Sequence, residues 1–218
     1  MDASAATVVL LRDGAEGVEV LLAERPSDRG SFAGAWVFPG GAVDEADAAG
    51  DPIDSEPAAR RAAVRETLEE VGLGLDPDEL VAFALWSPPE GVPKRLRTRF
   101  FAARAPEGEH ALAADELVAA AWLRPEAALD RHAAGTMTLY PPTWVTLHGL
   151  SGASSVDSVL AALRQGGEQV YVGRFGEDRR VLYWREDAAF ADETAAGDSG
   201  PRHRLVMRGL PWEYQRSF

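Results

Sequence analysis

The most informative stretch of this sequence reads RETLEEVGL and runs from Arg65 to Leu73, at the end of a predicted helix. Three carboxylates in it, those of Glu66, Glu69 and Glu70, stand at i, i+3 and i+4 and therefore share one helix face. Like charges at this spacing repel one another, and a bound cation would reverse the sign of that interaction. Because hard divalent cations prefer oxygen ligands, the spacing predicts a metal site on this face.

The other side of the same helix carries an apolar stripe. At about 100° per residue, Val64, Leu68 and Val71 point away from the acids, so we predict that they are buried. Ser55 is a favourable N-cap residue, and Gly72 is a natural residue to end the helix. The pattern therefore predicts an amphipathic helix from about Ser55 to Val71 that buries one face and presents acids on the other.

A glycine pair precedes this helix. Trp36 to Phe38 reads as a short strand that Pro39 stops, and Gly40-Gly41 follows at once. Glycine allows backbone angles that other residues avoid and lets a ligand or another segment approach closely. The FPGG segment, residues 38–41, is therefore a second candidate part of the site.

Together, FPGG and RETLEEVGL resemble the Nudix box, whose pattern is Gly, five residues, Glu, seven residues, then Arg-Glu-apolar-any-Glu-Glu-any-Gly-apolar. The second half matches at each specified position except that Thr67 stands at an apolar one. The first half departs, because Asp47 rather than Glu follows Gly41 by six residues. Asp47 also lies ten residues farther from Arg65 than the pattern requires. We interpret residues 44–55 as an insertion in the loop before the helix.

The resemblance implies a hydrolase that cleaves a diphosphate with Mg²⁺ or Mn²⁺. The metal ligands that it implies are the Gly40 carbonyl, Glu66, Glu69, Glu70 and Glu116. Glu116 enters as the later acid that often completes such sites, ahead of Asp115. Catalytic roles fall on Arg65, which should pair with Glu69 at i+4, and on Glu66 and Glu70, one of which polarises the attacking water.

Within this family the chain looks most like the branch related to the peroxisomal coenzyme A diphosphatase. This likeness covers roughly residues 6–150 and rests on the layout of residues 98–103, 122–129 and 139–143, and on the inserted loop. It implies coenzyme A or an acyl-coenzyme A as the substrate. ADP-ribose or NADH is the alternative, and a non-catalytic Nudix-fold ligand sensor is the alternative of another class. Such sensors usually lose acids from the box, and this chain keeps all three, which favours an enzyme.

A coenzyme A motif upstream of the box in other Nudix proteins matches this chain in part. Arg25, Gly34 and FPGG fall in register with it, whereas Pro26 and Gly30 replace its Ser and a basic residue.

The substrate-binding residues that we predict are Arg25, Arg97 and Arg99. Arg95, Arg97 and Arg99 share one face of a predicted strand and could hold the 3′-phosphate of coenzyme A, or form a plain solvated face. Tyr140, Trp144 and Phe101 could stack a base, although such aromatic side chains are more often part of a core.

Composition excludes several classes of function. The chain has 218 residues, 46% of them hydrophobic, and a formal net charge of −13, which argues against a nucleic-acid or anionic-membrane surface. It has no cysteine and no apolar run long enough to span a membrane. We therefore expect a cytoplasmic protein whose partner is a small nucleoside diphosphate derivative, with neither nucleic acid nor membrane. A homodimer is compatible with the resemblance.

Strands with interspersed helices predict an α/β (α+β) sandwich. The resemblance implies that this is a Nudix-like α/β/α sandwich with a mixed central sheet, here followed by a C-terminal extension. The boundary is predicted at Gly166-Gly167, with a hydrolase domain over residues 1–165 and an extension over 166–218 packed on it. In the extension we predict a hairpin around residues 176–178, a mobile loop over 187–201 and a return to a sheet at 205–207.

Overall fold

The computed structural model of the protein describes residues 3–28, 32–92, 95–108, 111–113, 116–194 and 200–218. Within these ranges eleven strands and five helices are present. The strands are β1 (Ala3–Gly14), β2 (Gly17–Glu24), β3 (Trp36–Val37), β4 (Gly40–Ala42), β5 (Val81–Ser87), β6 (Leu96–Arg104), β7 (Ala119–Leu123), β8 (Gln169–Phe175), β9 (Val181–Trp184), β10 (His203–Val206) and β11 (Glu213–Arg216). The helices are α1 (Glu45–Ala48), α2 (Glu56–Val71), α3 (Pro125–Ala133), α4 (Pro141–Leu150) and α5 (Val156–Gly166).

All of these strands belong to one mixed sheet, in which β1 is central. It pairs in parallel with β6 and antiparallel with β2 and β4. Residues 5–11 are buried on both faces of β1, as expected for a largely apolar strand that lies between two layers of helices. The strand order β11-β10-β9-β8-β5-β6-β1-β2-β3 confirms the predicted mixed central sheet.

Each face of the sheet has its own hydrophobic core. Ala6, Val8 and Phe101 face α2, and Leu11 faces the larger core on the other side, to which α3, α4 and α5 contribute. The α/β/α layering that the sequence predicted is therefore present. None of the helices in the described ranges is long and apolar enough to cross a membrane.

Helix α2 begins and ends where the sequence predicted. The Ser55 hydroxyl accepts a hydrogen bond from the Ala58 amide, and Gly72, with φ of 71°, donates its amide to the Leu68 carbonyl. Both are end caps of the usual kind. The two caps fix where α2 begins and ends. They therefore also fix the position of its last two turns relative to the glycine pair.

The buried face of α2 differs from the predicted stripe. Leu68 is 55% exposed, which contradicts its predicted burial, whereas Thr67 is fully buried. The Thr67 hydroxyl donates to the Ala63 carbonyl at 2.7 Å, which satisfies its polar group at a position where the box pattern has an apolar residue. The buried side chains of the first turns are small: Ala58, Ala59, Ala62 and Ala63. Small residues let the helix lie close to the sheet.

The C-terminal segment continues the central sheet. Strand β8 pairs in parallel with β5, and Trp86 of β5 stacks on Tyr171 of β8 with ring centroids 3.8 Å apart. The predicted hairpin of β8 and β9 is confirmed, as is the return to the sheet at β10. Strand β11 was not predicted, and α1 lies in a segment predicted to be a loop.

Asp187, the first residue of the loop predicted over residues 187–201, is anchored by its side chain. Its side chain is fully buried and accepts two hydrogen bonds from Arg204, at 2.7 and 2.6 Å, and others from the amides of His203 and Ala189. Burial alone would raise the pKa of Asp187, but these bonds outweigh it and hold that pKa below its ordinary value of 3.8. Residues 195–199 of the predicted loop lie outside the described ranges.

We expect Asp187→Asn to lower the free energy of unfolding at pH 7 by about 3–5 kcal/mol, because it removes a buried carboxylate charge that pairs with the Arg204 guanidinium through two hydrogen bonds. Since the pKa of Asp187 is lowered, its contribution is present above its ordinary pKa and is lost as the pH falls through the folded value. Urea titrations at pH 7 and pH 3 measure both effects, with Glu177→Gln, an exposed change in the same segment, as the control. A loss below 1 kcal/mol at pH 7 would contradict this assignment.

Candidate active site

The glycine pair sits where β1 and β2 diverge. Strand β3 pairs with β2, and β4 pairs with β1, so the chain crosses from one strand to the other at Pro39. The Pro39 carbonyl accepts hydrogen bonds from the Thr7 hydroxyl at 2.6 Å and from the Val8 amide at 2.9 Å. The point where β1 and β2 diverge therefore holds this turn in place, with the Gly40 amide directed towards Glu70 of α2.

Both glycines are required by their surroundings. Gly40 has φ of 151°, and a Cβ there would collide with the Ala6 carbonyl and the backbone of Thr7. A Cβ on Gly41 would instead overlap the carboxylate of Glu66. The first glycine is thus needed for the backbone to pass β1, and the second leaves room for an acid of the site.

Three carboxylates converge in front of this turn. Glu66, Glu70 and Glu116 each offer an oxygen, and these oxygens lie within 4.8 Å of one another. Glu70 is almost fully buried, and the Gly40 amide donates to it at 2.8 Å. The Ala113 amide donates to the Glu70 carbonyl at 2.9 Å, which ties the segment before Glu116 to the end of α2. The structure therefore brings together three of the predicted metal ligands.

The environment of Glu66 and Glu70 disfavours their charged forms. Burial raises the pKa of Glu70 to about 7; the Gly40 amide and the Arg25 charge act against this, and Glu66 and Glu116 add to it. Burial also raises the pKa of Glu66, against the effect of Arg65. Glu70 is buried, Glu66 is partly buried and Glu116 is exposed, and a buried carboxylate beside like charges is costly unless it is protonated or faces a cation.

The donor set suits a divalent cation. Three carboxylates and the Gly40 carbonyl supply only oxygens, which are the ligands that Mg²⁺ and similar hard ions prefer. The Gly40 carbonyl belongs to the same site, because Nη2 of Arg25 lies 3.2 Å from it and 3.3 Å from Glu70 Oε1. A cation at this point would offset the two effects that raise the pKa of Glu70, which are its burial and, to a smaller extent, repulsion from Glu66 and Glu116.

In the metal-free protein, the free energy of unfolding should depend on the ionisation of Glu70. Because the folded-state pKa of about 7 exceeds the ordinary 4.5, the contribution of Glu70 is full below about pH 4.5 and is lost as the pH rises through 7. With a chelator present, wild type should lose on the order of 3 kcal/mol more than Glu70→Gln between pH 4.5 and pH 8.5. Urea unfolding of both proteins measures this, and equal pH dependence would contradict it.

Arg65 binds several carboxylates beside the acid cluster. It donates to Glu66 at 2.9 Å and to Glu69 at 2.9 Å, so the predicted i,i+4 pair is present. It also binds Asp47 through two nitrogens, at 3.2 and 2.8 Å. The hydrogen bond to Asp47 is the main reason why the pKa of Arg65 is raised, so the guanidinium stays charged.

Asp47 therefore has a role that the sequence did not reveal. Asp47 follows Gly41 by six residues, which is where the box pattern has Glu. Its side chain is only 6% exposed and forms an ion pair with Arg65. Helix α1 carries Asp47, and Arg61 donates to the carbonyls of Asp47 and Ala48. Asp47 thus stands at the position of the box Glu and pairs with Arg65, and the extra residues lie between it and α2.

The other predicted residues are not among the three clustered acids. Glu69 is 55% exposed and pairs with Arg65 on the solvent side. Arg97 is exposed on β6, whereas Arg99 is bound by Glu168 at 2.6 Å. Arg95 comes just before β6. Two residues of the sequence argument, Gly30 and Asp115, lie outside the described ranges.

Comparison with known proteins agrees with this geometry. Residues 1–141 match the model of the NUDIX domain family. No curated protein sequence matches the chain significantly. A solved NUDIX hydrolase from Alicyclobacillus acidocaldarius is 27% identical, with a TM-score of 0.67 over 77% of this chain and 99% of that one.

Two more distant structures share the fold alone. A MutT NUDIX hydrolase from Burkholderia pseudomallei is 22% identical, with a TM-score of 0.52 over 69% of this chain and 99% of that one. The NUDIX domain of Shewanella oneidensis NrtR, solved with ADP ribose, is 15% identical, with a TM-score of 0.51 over 68% of this chain and 85% of that one.

A sheet fork with two glycines, facing a helix that carries the acids, defines a Nudix-type site. The chain belongs to the NUDIX domain family. The protein is a Nudix diphosphohydrolase, and such hydrolases generally need divalent metal ions.

Proposed function

We propose that this enzyme hydrolyses the diphosphate linkage of coenzyme A or an acyl-coenzyme A, with Mg²⁺ or Mn²⁺ as its metal. The observation that carries the proposal is the cluster of Glu66, Glu70 and Glu116 beside the Gly40 carbonyl, with Arg25 against it. This arrangement supports hydrolysis of a diphosphate because it combines a cation site with an adjacent guanidinium that suits phosphate oxygens.

The residues of the site have two roles in this proposal, metal binding and proton transfer. Glu66, Glu70, Glu116 and the Gly40 carbonyl would hold the metal, and Glu69, which is bound to Arg65 in this structure, would be a further ligand. A bound divalent cation supplies Lewis-acid activation of water and neutralises charge on the leaving phosphate. Glu66 or Glu70 accepts a proton as water adds to one phosphorus and the bridging oxygen leaves with the other.

Two positively charged residues act on the substrate in this proposal. Arg25 lies in register with the upstream coenzyme A motif, and its buried Nε has no hydrogen-bond partner within the ranges that the structure describes. Arg97 is exposed and is the better candidate for the 3′-phosphate. Arg99 could contribute only if Glu168 released it, because that carboxylate contacts it through two nitrogens.

The test is a screen with Mg²⁺ over coenzyme A, an acyl-coenzyme A, ADP-ribose and NADH, in which mass spectrometry identifies the products. Coenzyme A should give adenosine 3′,5′-bisphosphate and 4′-phosphopantetheine, and turn over faster than the others. Arg97→Ala should slow the hydrolysis of coenzyme A but not that of 3′-dephospho-coenzyme A. No turnover of coenzyme A or its acyl form would contradict the proposal.

ADP-ribose is the second candidate substrate. A NUDIX domain of the same fold, that of Shewanella oneidensis NrtR, was solved with ADP ribose. ADP-ribose shares the adenosine diphosphate half of coenzyme A but lacks its 3′-phosphate, so it would need Arg25 and not Arg97. A kcat/KM for ADP-ribose above that for coenzyme A, unaffected by Arg97→Ala, would favour this alternative.

A further inference from the structure

Two half-exposed aromatic side chains form a pair at the turn between β2 and β3. Phe32 is 44% exposed and Tyr140 is 40% exposed, and their ring centroids lie 4.9 Å apart with planes at 71°. Phe32 has φ of 60°, a left-handed conformation that bulky residues rarely adopt. Such conformations are costly and cluster at ligand sites, so a function is the natural hypothesis for this one.

Backbone hydrogen bonds link the segments that carry the pair to the backbone of Arg25. The Arg25 amide donates to the Ala35 carbonyl at 3.0 Å, and the Ala35 amide donates to the Phe32 carbonyl at 3.0 Å. The next residue, Trp36, donates its amide to Thr138 at 2.9 Å, two residues before Tyr140. The backbone segments that carry the two rings are therefore joined to the backbone of Arg25, whose side chain reaches Gly40 and Glu70.

We infer that the Phe32–Tyr140 pair is the stacking surface for the nucleobase of the substrate, whose diphosphate lies between Arg25 and the acid cluster. The inference rests on the proposed function. Two rings at a steep angle form a corner, so a planar base can lie flat on one ring and meet the other edge to face. Stacking of this kind tolerates different bases, because each base has a π-face.

The other aromatic side chains that the sequence suggested for this role are not available. Phe101 is fully buried between the sheet and α2. Trp144 is 6% exposed and packs in the larger core, with its ring stacked on His148. Of the three residues, only Tyr140 is exposed, and Phe32 is the partner that the sequence did not indicate.

The test measures binding of two non-hydrolysable probes by calorimetry in the presence of Mn²⁺. One is α,β-methylene-ADP, which carries a base, and the other is methylenediphosphonate, which does not. Phe32→Gly and Tyr140→Ala each remove a ring, and Tyr140→Phe keeps one as the matched control. Phe32→Gly also suits the left-handed backbone, so we expect no fall in its melting temperature.

The expected result is that wild type binds the nucleotide probe more tightly than methylenediphosphonate. Phe32→Gly and Tyr140→Ala should each weaken the nucleotide probe about tenfold and leave the base-free probe unchanged, and Tyr140→Phe should bind both as wild type does. Equal wild-type affinity for the two probes, or no effect of either ring removal, would overturn the inference and leave the proposed diphosphate chemistry intact. If wild type bound neither probe, the inference and the proposed function would both be overturned.

Discussion

Glu70→Gln should lower kcat at least about 10³-fold without unfolding the protein. Glu70 is the most buried acid of the cluster and is bound directly by the Gly40 amide. Glutamine keeps the size of the side chain and can still accept that hydrogen bond, but it supplies no negative charge to a cation and cannot take a proton from water. Steady-state rates with the substrate that the screen identifies measure the loss.

The matched control for this change is Glu79→Gln, because Glu79 is also a glutamate but lies exposed in the turn after α2. Its activity should equal that of wild type. In the metal-free state at pH 8.5, Glu70→Gln should be at least as stable as wild type, since it removes a buried charge. A Glu70→Gln enzyme with activity within tenfold of wild type would show that Glu70 is not essential to the site.

Gly41→Ala should lower kcat/KM about 10²-fold while the free energy of unfolding changes little. The added methyl group would overlap the Glu66 carboxylate, which is the end of a flexible side chain and can move aside. Movement of that carboxylate by about 1 Å displaces a metal ligand, and a displacement of this size is enough for the predicted loss. Activity assays and urea titration together measure the two quantities.

The neighbouring Gly40→Ala provides the contrast. There the methyl group meets the backbone of Ala6 and Thr7 in β1, and φ of 151° is unsuitable for alanine, so the main effect should be a loss of stability. Gly50→Ala, where the added Cβ has open space but φ is 97°, controls for backbone strain alone. If Gly41→Ala destabilised the protein as much as Gly40→Ala, our separation of the two glycine roles would be wrong.

The local patterns of the sequence predicted much of this fold. Ser55 and Gly72 delimited α2 because caps depend on a few neighbouring residues, and the acids at i, i+3 and i+4 indicated one face. The predicted apolar stripe of α2 was partly wrong, because helix periodicity shows which residues share a face but not which face packs on the sheet. Leu68 is exposed, and the buried place belongs to Thr67, whose hydroxyl is satisfied within the helix.

Contacts between distant parts of the chain could not be predicted in this way. Asp47 reaches Arg65 only because α1 and the inserted residues fold back on α2. Asp187 looked like part of a polar loop, and its burial depends on Arg204 in another strand. Phe32 meets its aromatic partner through the pairing of its turn with the segment before α4. Each depends on the path of a loop, which composition does not encode.

The central claim is that Glu66, Glu70, Glu116 and the Gly40 carbonyl form one cation site. Anomalous diffraction from crystals soaked in Mn²⁺ tests it most directly. We expect a manganese peak at a coordination distance of about 2 Å from oxygens of Glu66 and Glu70 and from the Gly40 carbonyl, and its absence from crystals of Glu70→Gln. A well-ordered soaked crystal with no peak there, or with manganese bound only elsewhere, would contradict the claim.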